Sequence, residues 1–530
     1  MNPGFDLNRL RESVFYYLLL LFVMFLPFSE ALVSILAGAL MLQMLLLRSW
    51  NHPSIPRGTP VSLLMVSSIF LLYLLGMVRT HDLTFALYEL KKVIFWVVIP
   101  AALYYSPRLN TRRFVYLLLL FIMAVVAASF EATGRYLFRE QLGITGFREF
   151  IHISHIRFSF QVVLAFVLLG GFLRARKLLP IAGIPSWILA LTGGWLLLFL
   201  LQLKSVTGVI ALLGTLWIFL LILAFRPSQM WKRGVLVAGL LLLILIPAGY
   251  VAKVWHDFHD SETLNPETIE PLTPSGRPYT FDFNSRDREN GHWVHAWICT
   301  EELRSEWNKV SKIDFDAPDG GGYPCSSTLI RYLTSKGLRK DSTGVSQLTA
   351  ADIKAIEQGV ANYIYVNRSF SLYPRVYETI WEYDYYTRYG DPNNQSFSQR
   401  IEFVRASLHL IGQHPWLGIG TGNWKLAYAG AYQQLNSRLH PENQGPSHNQ
   451  FLNYLVKFGV VGFVAIMALL LIPLFREGHR KNLIFWLFLI SMGFANLGDA
   501  NLETHMGLSY FCFFYGLFLW HSPREFMDIH

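Results

Sequence analysis

Ser447-His448-Asn-Gln450 stands just ahead of an apolar stretch, where a histidine could accept a proton. Ser447 and Gln450 have capping-box spacing, which predicts His448 at the first helical position. The positive end of a helix favours the neutral imidazole, the form a general base needs near pH 7. An interfacial histidine without chemistry is the plainer alternative. Arg400 is the second candidate. It lies in the run Ser396 to Gly412, where Ser396 and Gln399 repeat the capping-box spacing, and Ile401, Val404, Leu408 and Ile411 recur at helical intervals. This reads as a short amphipathic helix on a membrane surface, with Arg400 in its first turn. A cation is disfavoured there by roughly 0.3–1 kcal/mol. It makes sense if an anion is shared with the backbone N–H groups, and simple exposure is the alternative.

The run His414-Pro-Trp-Leu-Gly418-Ile-Gly420-Thr-Gly422-Asn-Trp424 resembles a dinucleotide loop, but no βαβ pattern surrounds it. Its alternating glycines are read instead as a tight turn with close backbone approach. Arg79, Lys91, Lys92, Arg135, Arg139, Arg148, Arg157 and Lys204 fall at the margins of apolar stretches on one predicted face. Snorkelling of long side chains explains part of this group. A basic bowl for an anionic, membrane-borne substrate explains more, because the arginine fork suits pyrophosphate. His152-x-x-His155, His256-Asp257-x-His259-Asp260 and His292-x-x-His295 have metal-like spacing without a matching second half of ligands. Asp314-Phe-Asp316 could hold a divalent ion, but it sits in a Pro/Gly-rich loop and reads as a turn. No metal and no cofactor are expected.

Such residues need a scaffold, and the composition says which kind. Of 530 residues, 53% are hydrophobic and only 15% charged, with 40 Phe and 15 Trp. Soluble domains carry roughly 25% charge. The expectation is an all-α polytopic membrane protein, which excludes a cytosolic enzyme and a secreted domain. Apolar stretches near the ~20 residues that span a bilayer fall at about 13–28, 31–47, 60–78, 93–105, 114–131, 158–173, 182–202, 206–225, 234–251, 451–474, 483–497 and 506–521, about twelve spans. Alternate loops hold Arg9/Arg11, Arg48/Arg57, Arg108/Arg112/Arg113, Arg174/Arg176/Lys177, Lys232/Arg233 and Arg476/Arg480/Lys481, and the positive-inside rule puts these in the cytoplasm. Glu30 occupies the place where a signal peptide would need a small residue, so the first stretch reads as an uncleaved helix.

The large loop then faces outward, before the last three spans. Residues 252–400 hold 16 Lys+Arg against 21 Asp+Glu, and the rest of the chain 29 against 15, so the basicity belongs to the membrane part and implies no nucleic acid. The expected organisation is spans 1–9 over 1–251, an inserted subdomain over 252–395, an amphipathic helix and glycine loop over 396–450, and spans 10–12 over 451–530. The subdomain has a helix-like run near 350–361 and turn clusters at Asp319–Gly322 and Gly390–Asn394. Cys299 and Cys325 fall in it, and its compartment tolerates a disulfide without requiring one; Cys512 lies in a span.

Residues 396–462, with Arg400, the His414-to-Asn423 run, His448-Asn449 and Lys457-Phe-Gly-Val-Val-Gly462, resemble the signature of the O-antigen ligase/polymerase family of bacterial membrane glycosyltransferases. The inserted segment with Leu329 to Leu338 resembles a branch associated with Bacteroidetes. The resemblance implies a metal-independent, inverting transfer of glycan from undecaprenyl pyrophosphate to an acceptor hydroxyl, at the periplasmic face of the inner membrane. It implies His448 as base, and Arg400 and Arg157 as pyrophosphate ligands. Where the family often has Ser-Arg-x-Gly, this chain reads Lys204-Ser-Val-Thr-Gly208, so Lys204 supplies the charge from a shifted position and without the planar fork. The expected acceptor is lipid A–core oligosaccharide; a polymerase and a protein O-oligosaccharyltransferase follow. A transporter of a lipid-linked anion is the reading from another class, disfavoured because its charges should lie near the midplane.

Overall fold

A computed structural model describes residues 6–55, 59–138, 147–225, 229–260, 270–368 and 371–527; Arg57 and Arg139 lie outside them. The chain forms two compact units, Met1–Leu240 with Gly390–His530, and Leu241–Tyr389.

In the first unit, short polar side chains start the helices by accepting from otherwise orphaned N–H groups. Asp6 caps Leu7–Phe25, Ser29 caps Glu30–Leu46, Asn110 caps Thr111–Leu137, Ser205 caps Val206–Ala224, Asn482 caps Leu483–Gly498 and Thr504 caps His505–His521. Every residue of His505–His521 from Met506 onward is buried. An apolar surface on all sides puts it at the centre of the unit. Phe22 of the first helix stacks on its Phe513 at 4.3 Å. Among the described residues, six helices are long and apolar enough to cross a membrane: Val61–Arg79, Thr111–Leu137, His155–Ala175, Val206–Ala224, Met230–His259 and Gln450–Arg476. Glu30–Leu46, Ser186–Gln202 and Leu483–Gly498 are apolar and shorter. The stretch expected over 93–105 divides into Leu83–Val93 and Phe95–Tyr104. The second has 10 residues, about 15 Å of helix, and cannot span alone.

The loops of this unit gather at two ends. At one, Glu12 accepts from Arg113 (3.0 Å) and Arg11 donates to the carbonyl of Leu47 (2.8 Å). These are loops assigned above to the cytoplasm. At the other end of the same two helices, Glu30 pairs with Arg157.

The second unit has its own core of Leu303, Trp307, Phe315, Cys325, Leu329, Tyr332, Leu333 and Ile356. Its one sheet among the described residues pairs Arg288–Glu289 with His292–Trp293, antiparallel. Asn290 and Gly291 turn between them with φ of 51° and 86°, as the twist of a two-residue hairpin demands. The helix expected near 350–361 is Ala350–Glu357, started by a Thr349/Asp352 capping box and stopped before Gly359 at φ 84°. Asp319 closes its turn by accepting from Gly321 and Tyr323. Cys299 and Cys325 are free and buried, and burial pushes the Cys325 thiol up to about 11.

Candidate active site

The site is built around a broken helix. Gln450–Arg476 is interrupted at Gly459, whose φ/ψ of 63°/−171° no helix accommodates. The break frees peptide groups, and the glycine loop takes them. Ile419 and Gly420 donate to the carbonyls of Val456 and Lys457, each at 2.9 Å, while Val460 and Val461 donate to Pro415 and Trp416. Irregular backbone survives among membrane-crossing helices only where protein satisfies it in this way. Gly418, Gly420 and Gly422 all have positive φ, and a Cβ on them would lie 2.5 Å from Lys457, 2.5 Å from Gly76 and 2.6 Å from Ala86. Close backbone approach is therefore their role.

A largely buried charge group locks this arrangement. The Lys457 ammonium sits 2.8 Å from both Glu89 Oε1 and Glu503 Oε1. Glu89 Oε2 accepts from the Gly422 N–H at 2.6 Å, and the Tyr73 hydroxyl donates to Glu503 at 3.3 Å. Glycine loop, broken helix and the turn after Gly498 are thus tied by one ammonium.

His448 lies where that turn meets the broken helix. Its Nδ1 is 3.2 Å from Asp499 Oδ1, and its ring packs 5.7 Å from that of Phe403. The imidazole is about half exposed (49%), the carboxylate mostly covered (17%). Burial raises the pKa of Asp499, but the His448 hydrogen bond and charge, the Ala500 N–H and the charge of Arg157 outweigh it and hold the carboxyl below its usual range. Asp499 is therefore an acceptor only, so His448 Nδ1 carries the proton and Nε2 is left as the basic nitrogen. Arg400 donates to the Gly498 carbonyl at 3.4 Å. Arg157 pairs with Glu30 at 2.5 Å, and its buried Nε has no hydrogen-bond partner among the described residues. His448 and Arg400, far apart in sequence, thus meet at Gly498–Asp499, where the charge of Arg157 is also felt.

Two local expectations are corrected. The helix after His448 starts at Gln450 with Asn449 as its cap, because the Asn449 side chain accepts from both Phe451 and Leu452. His448 precedes the cap, and the Gln450 side chain accepts instead from Leu502 N–H at 2.8 Å. Likewise Ser396–Gln413 is capped by Gln395, without a side-chain cap bond, so Arg400 is its fifth residue and lies past the first turn. Its guanidinium serves a helix C-terminus, where a cation is favoured. This helix packs through Phe403, Ala406, Ser407 and Leu410; Val404 and Leu408 of the expected stripe are exposed.

Lys204 occupies the turn before Val206–Ala224 with φ 51°, and its carbonyl accepts from Arg148 at 2.9 Å. His152 pairs with Glu131, His259 bonds the Trp255 carbonyl, and His295 faces Asp287 at 3.4 Å. Asp314 closes its turn by accepting from the Asp316 N–H, and Asp316 pairs with Arg304.

Asp499, Glu89 and Glu503 were missed from the sequence. Only Glu89 carried a signal, standing two and three residues before the counted Lys91 and Lys92; the segment of Asp499 and Glu503 holds no Lys or Arg to draw attention to it. No curated protein matches the chain. Residues 353–467, which hold Arg400, the three loop glycines, His448 and Gly459, match the family model described as O-Antigen ligase, and the likeness read from the sequence is to that family.

Proposed function

We propose that the protein is a membrane glycosyltransferase of the O-antigen ligase type. It moves a glycan from undecaprenyl pyrophosphate to a hydroxyl of lipid A–core oligosaccharide, at the periplasmic face of the bacterial inner membrane. Nε2 of His448 takes the proton of the acceptor hydroxyl while Asp499 holds the ring and balances the imidazolium that forms. The acceptor oxygen attacks the anomeric carbon from the face opposite the diphosphate, so the configuration inverts. The bond to the diphosphate breaks, and Arg157 and Arg400, with Lys204, meet the charge that develops on the leaving oxygens. Release of a stabilised diphosphate drives the step, and no metal takes part. Twelve spans, with residues 252–395 as a periplasmic insertion, complete the reading.

The observation that carries it is the His448–Asp499 pair beside Arg400 and Arg157. The test is transfer by purified protein from a lipid-linked glycan donor. His448→Ala should lower turnover about 10²–10⁴-fold with donor binding nearly intact. Transfer at the wild-type rate by folded His448→Ala would remove the base assignment.

A further inference from the structure

Beside the glycine loop lies a cavity of about 100 Å³ that the steps above do not use. One water needs only ~10–15 Å³, so there is room for part of a larger polar ligand. Trp424 and Tyr428 form an aromatic wall, and the Tyr428 hydroxyl is engaged with Ser407 at 2.7 Å. Two acceptors face the space. Asn453 is only 4% exposed, and its Oδ1 has no hydrogen-bond partner among the described residues. Glu503 spends Oε1 on Lys457 and Tyr73, which leaves Oε2 for a donor. A buried amide oxygen without a partner is costly and calls for a ligand that supplies the donor.

The formal charges of the lining cancel: Glu89 and Glu503 against Lys457 and Lys92. A diphosphate would find no surplus positive charge here. The chemistry wanted is neutral, rich in hydroxyl donors and able to lay a C–H face on an aromatic ring. Pro446 of the lining is two residues before His448, and Glu503 four after Asp499, so the cavity is lined by near chain neighbours of both members of the dyad. We infer that this cavity is the acceptor subsite, holding the neutral sugar ring whose hydroxyl His448 deprotonates. The inference rests on the function proposed above.

The test is saturation-transfer NMR on the full chain in detergent, with methyl glucoside, galactoside and mannoside as probes and inorganic pyrophosphate as competitor. At least one hexoside should bind saturably and resist displacement by pyrophosphate. Asn453→Leu, which removes the amide oxygen, and Trp424→Ala, which removes the wall, should each weaken that binding about tenfold or more. Two variants are used so that poor folding of one, judged by size exclusion, leaves the other. Binding by no hexoside, undiminished binding in the folded variants, or displacement by pyrophosphate overturns the subsite. If the hexoside behaves as expected while His448→Ala still transfers glycan, the subsite stands as a sugar site and the catalytic reading fails.

Discussion

Asp499 has one negative charge and no donor, so its service to His448 can be tested by removing the charge alone. Asp499→Asn keeps the shape, but its amide can present a donor to Nδ1 and so stabilise the unproductive tautomer. Turnover should fall about 10²–10⁴-fold, with the donor KM changed much less. The stability effect has a definite sign. Because the folded-state pKa is depressed, the carboxylate stabilises the fold above the ordinary carboxylate range and loses that contribution as pH falls through the lowered value. The difference in thermal stability between wild type and Asp499→Asn should therefore hold steady from pH 7 to about 5 and shrink in stronger acid. A difference that widens toward low pH contradicts the pairing. His448, Arg400 and Arg157 were legible as chemistry, since histidine ahead of a span and arginine at its edge are rare enough to stand out. Asp499 was not. A carboxylate in a short loop acquires meaning only from the ring it faces.

Among the elements, the broken helix carries the clearest prediction. An exposed helical glycine replaced by alanine ordinarily gains stability, up to ~1 kcal/mol. Gly170, with nothing within 4 Å of an added Cβ, should follow that rule as Gly170→Ala. Gly459→Ala should reverse it. The residue has φ 63°, and its Cβ would lie 2.3 Å from the Trp416 backbone, so strain alone costs about 1–3 kcal/mol. Melting temperatures in one detergent decide the sign; equal shifts for both variants would mean no break at Gly459. Lys457→Met should destabilise by about 3–5 kcal/mol, because buried Glu89 and partly buried Glu503 lose their cation. Adding Glu89→Gln should return part of that loss by removing one of them, which the same melting measurement reads. The loop glycines were recognisable as tight-turn residues, but Lys457-Phe-Gly-Val-Val-Gly462 reads as continuous span. The helix breaks there because Pro415 to Gly420 arrive from elsewhere to satisfy the freed peptide groups.

For the whole molecule, sidedness is the property to measure. A cysteine replacing Lys481 should be shielded from an impermeant maleimide in intact spheroplasts, and one replacing exposed Tyr323 should be labelled. The three natural cysteines are buried and provide a low background. Labelling at 481 with protection at 323 would invert the topology and with it the site's compartment. The apolar stretches fall on helices throughout, since side chains that must leave water and a backbone that must satisfy itself leave few other solutions. Their lengths are less regular. Leu83–Val93 and Phe95–Tyr104 separate at Ile94, a division that hydropathy cannot detect because both sides are apolar.

The sequence by itself determined the helical, membrane-type character of the protein and its likeness to the O-antigen ligase family, carried by the segment in which Arg400, the glycines and His448 lie. These follow from local properties: hydropathy, glycine backbone freedom and residue type. Tertiary structure alone decided that Asp499 faces His448, that Arg400 closes a helix C-terminus instead of sitting at an N-terminus, and that Glu89, Lys457 and Glu503 share one largely buried charge group. Each is a contact between residues tens to hundreds of positions apart. The residue types state only that such charges must find partners when buried, and packing of the helices determines which partners they find.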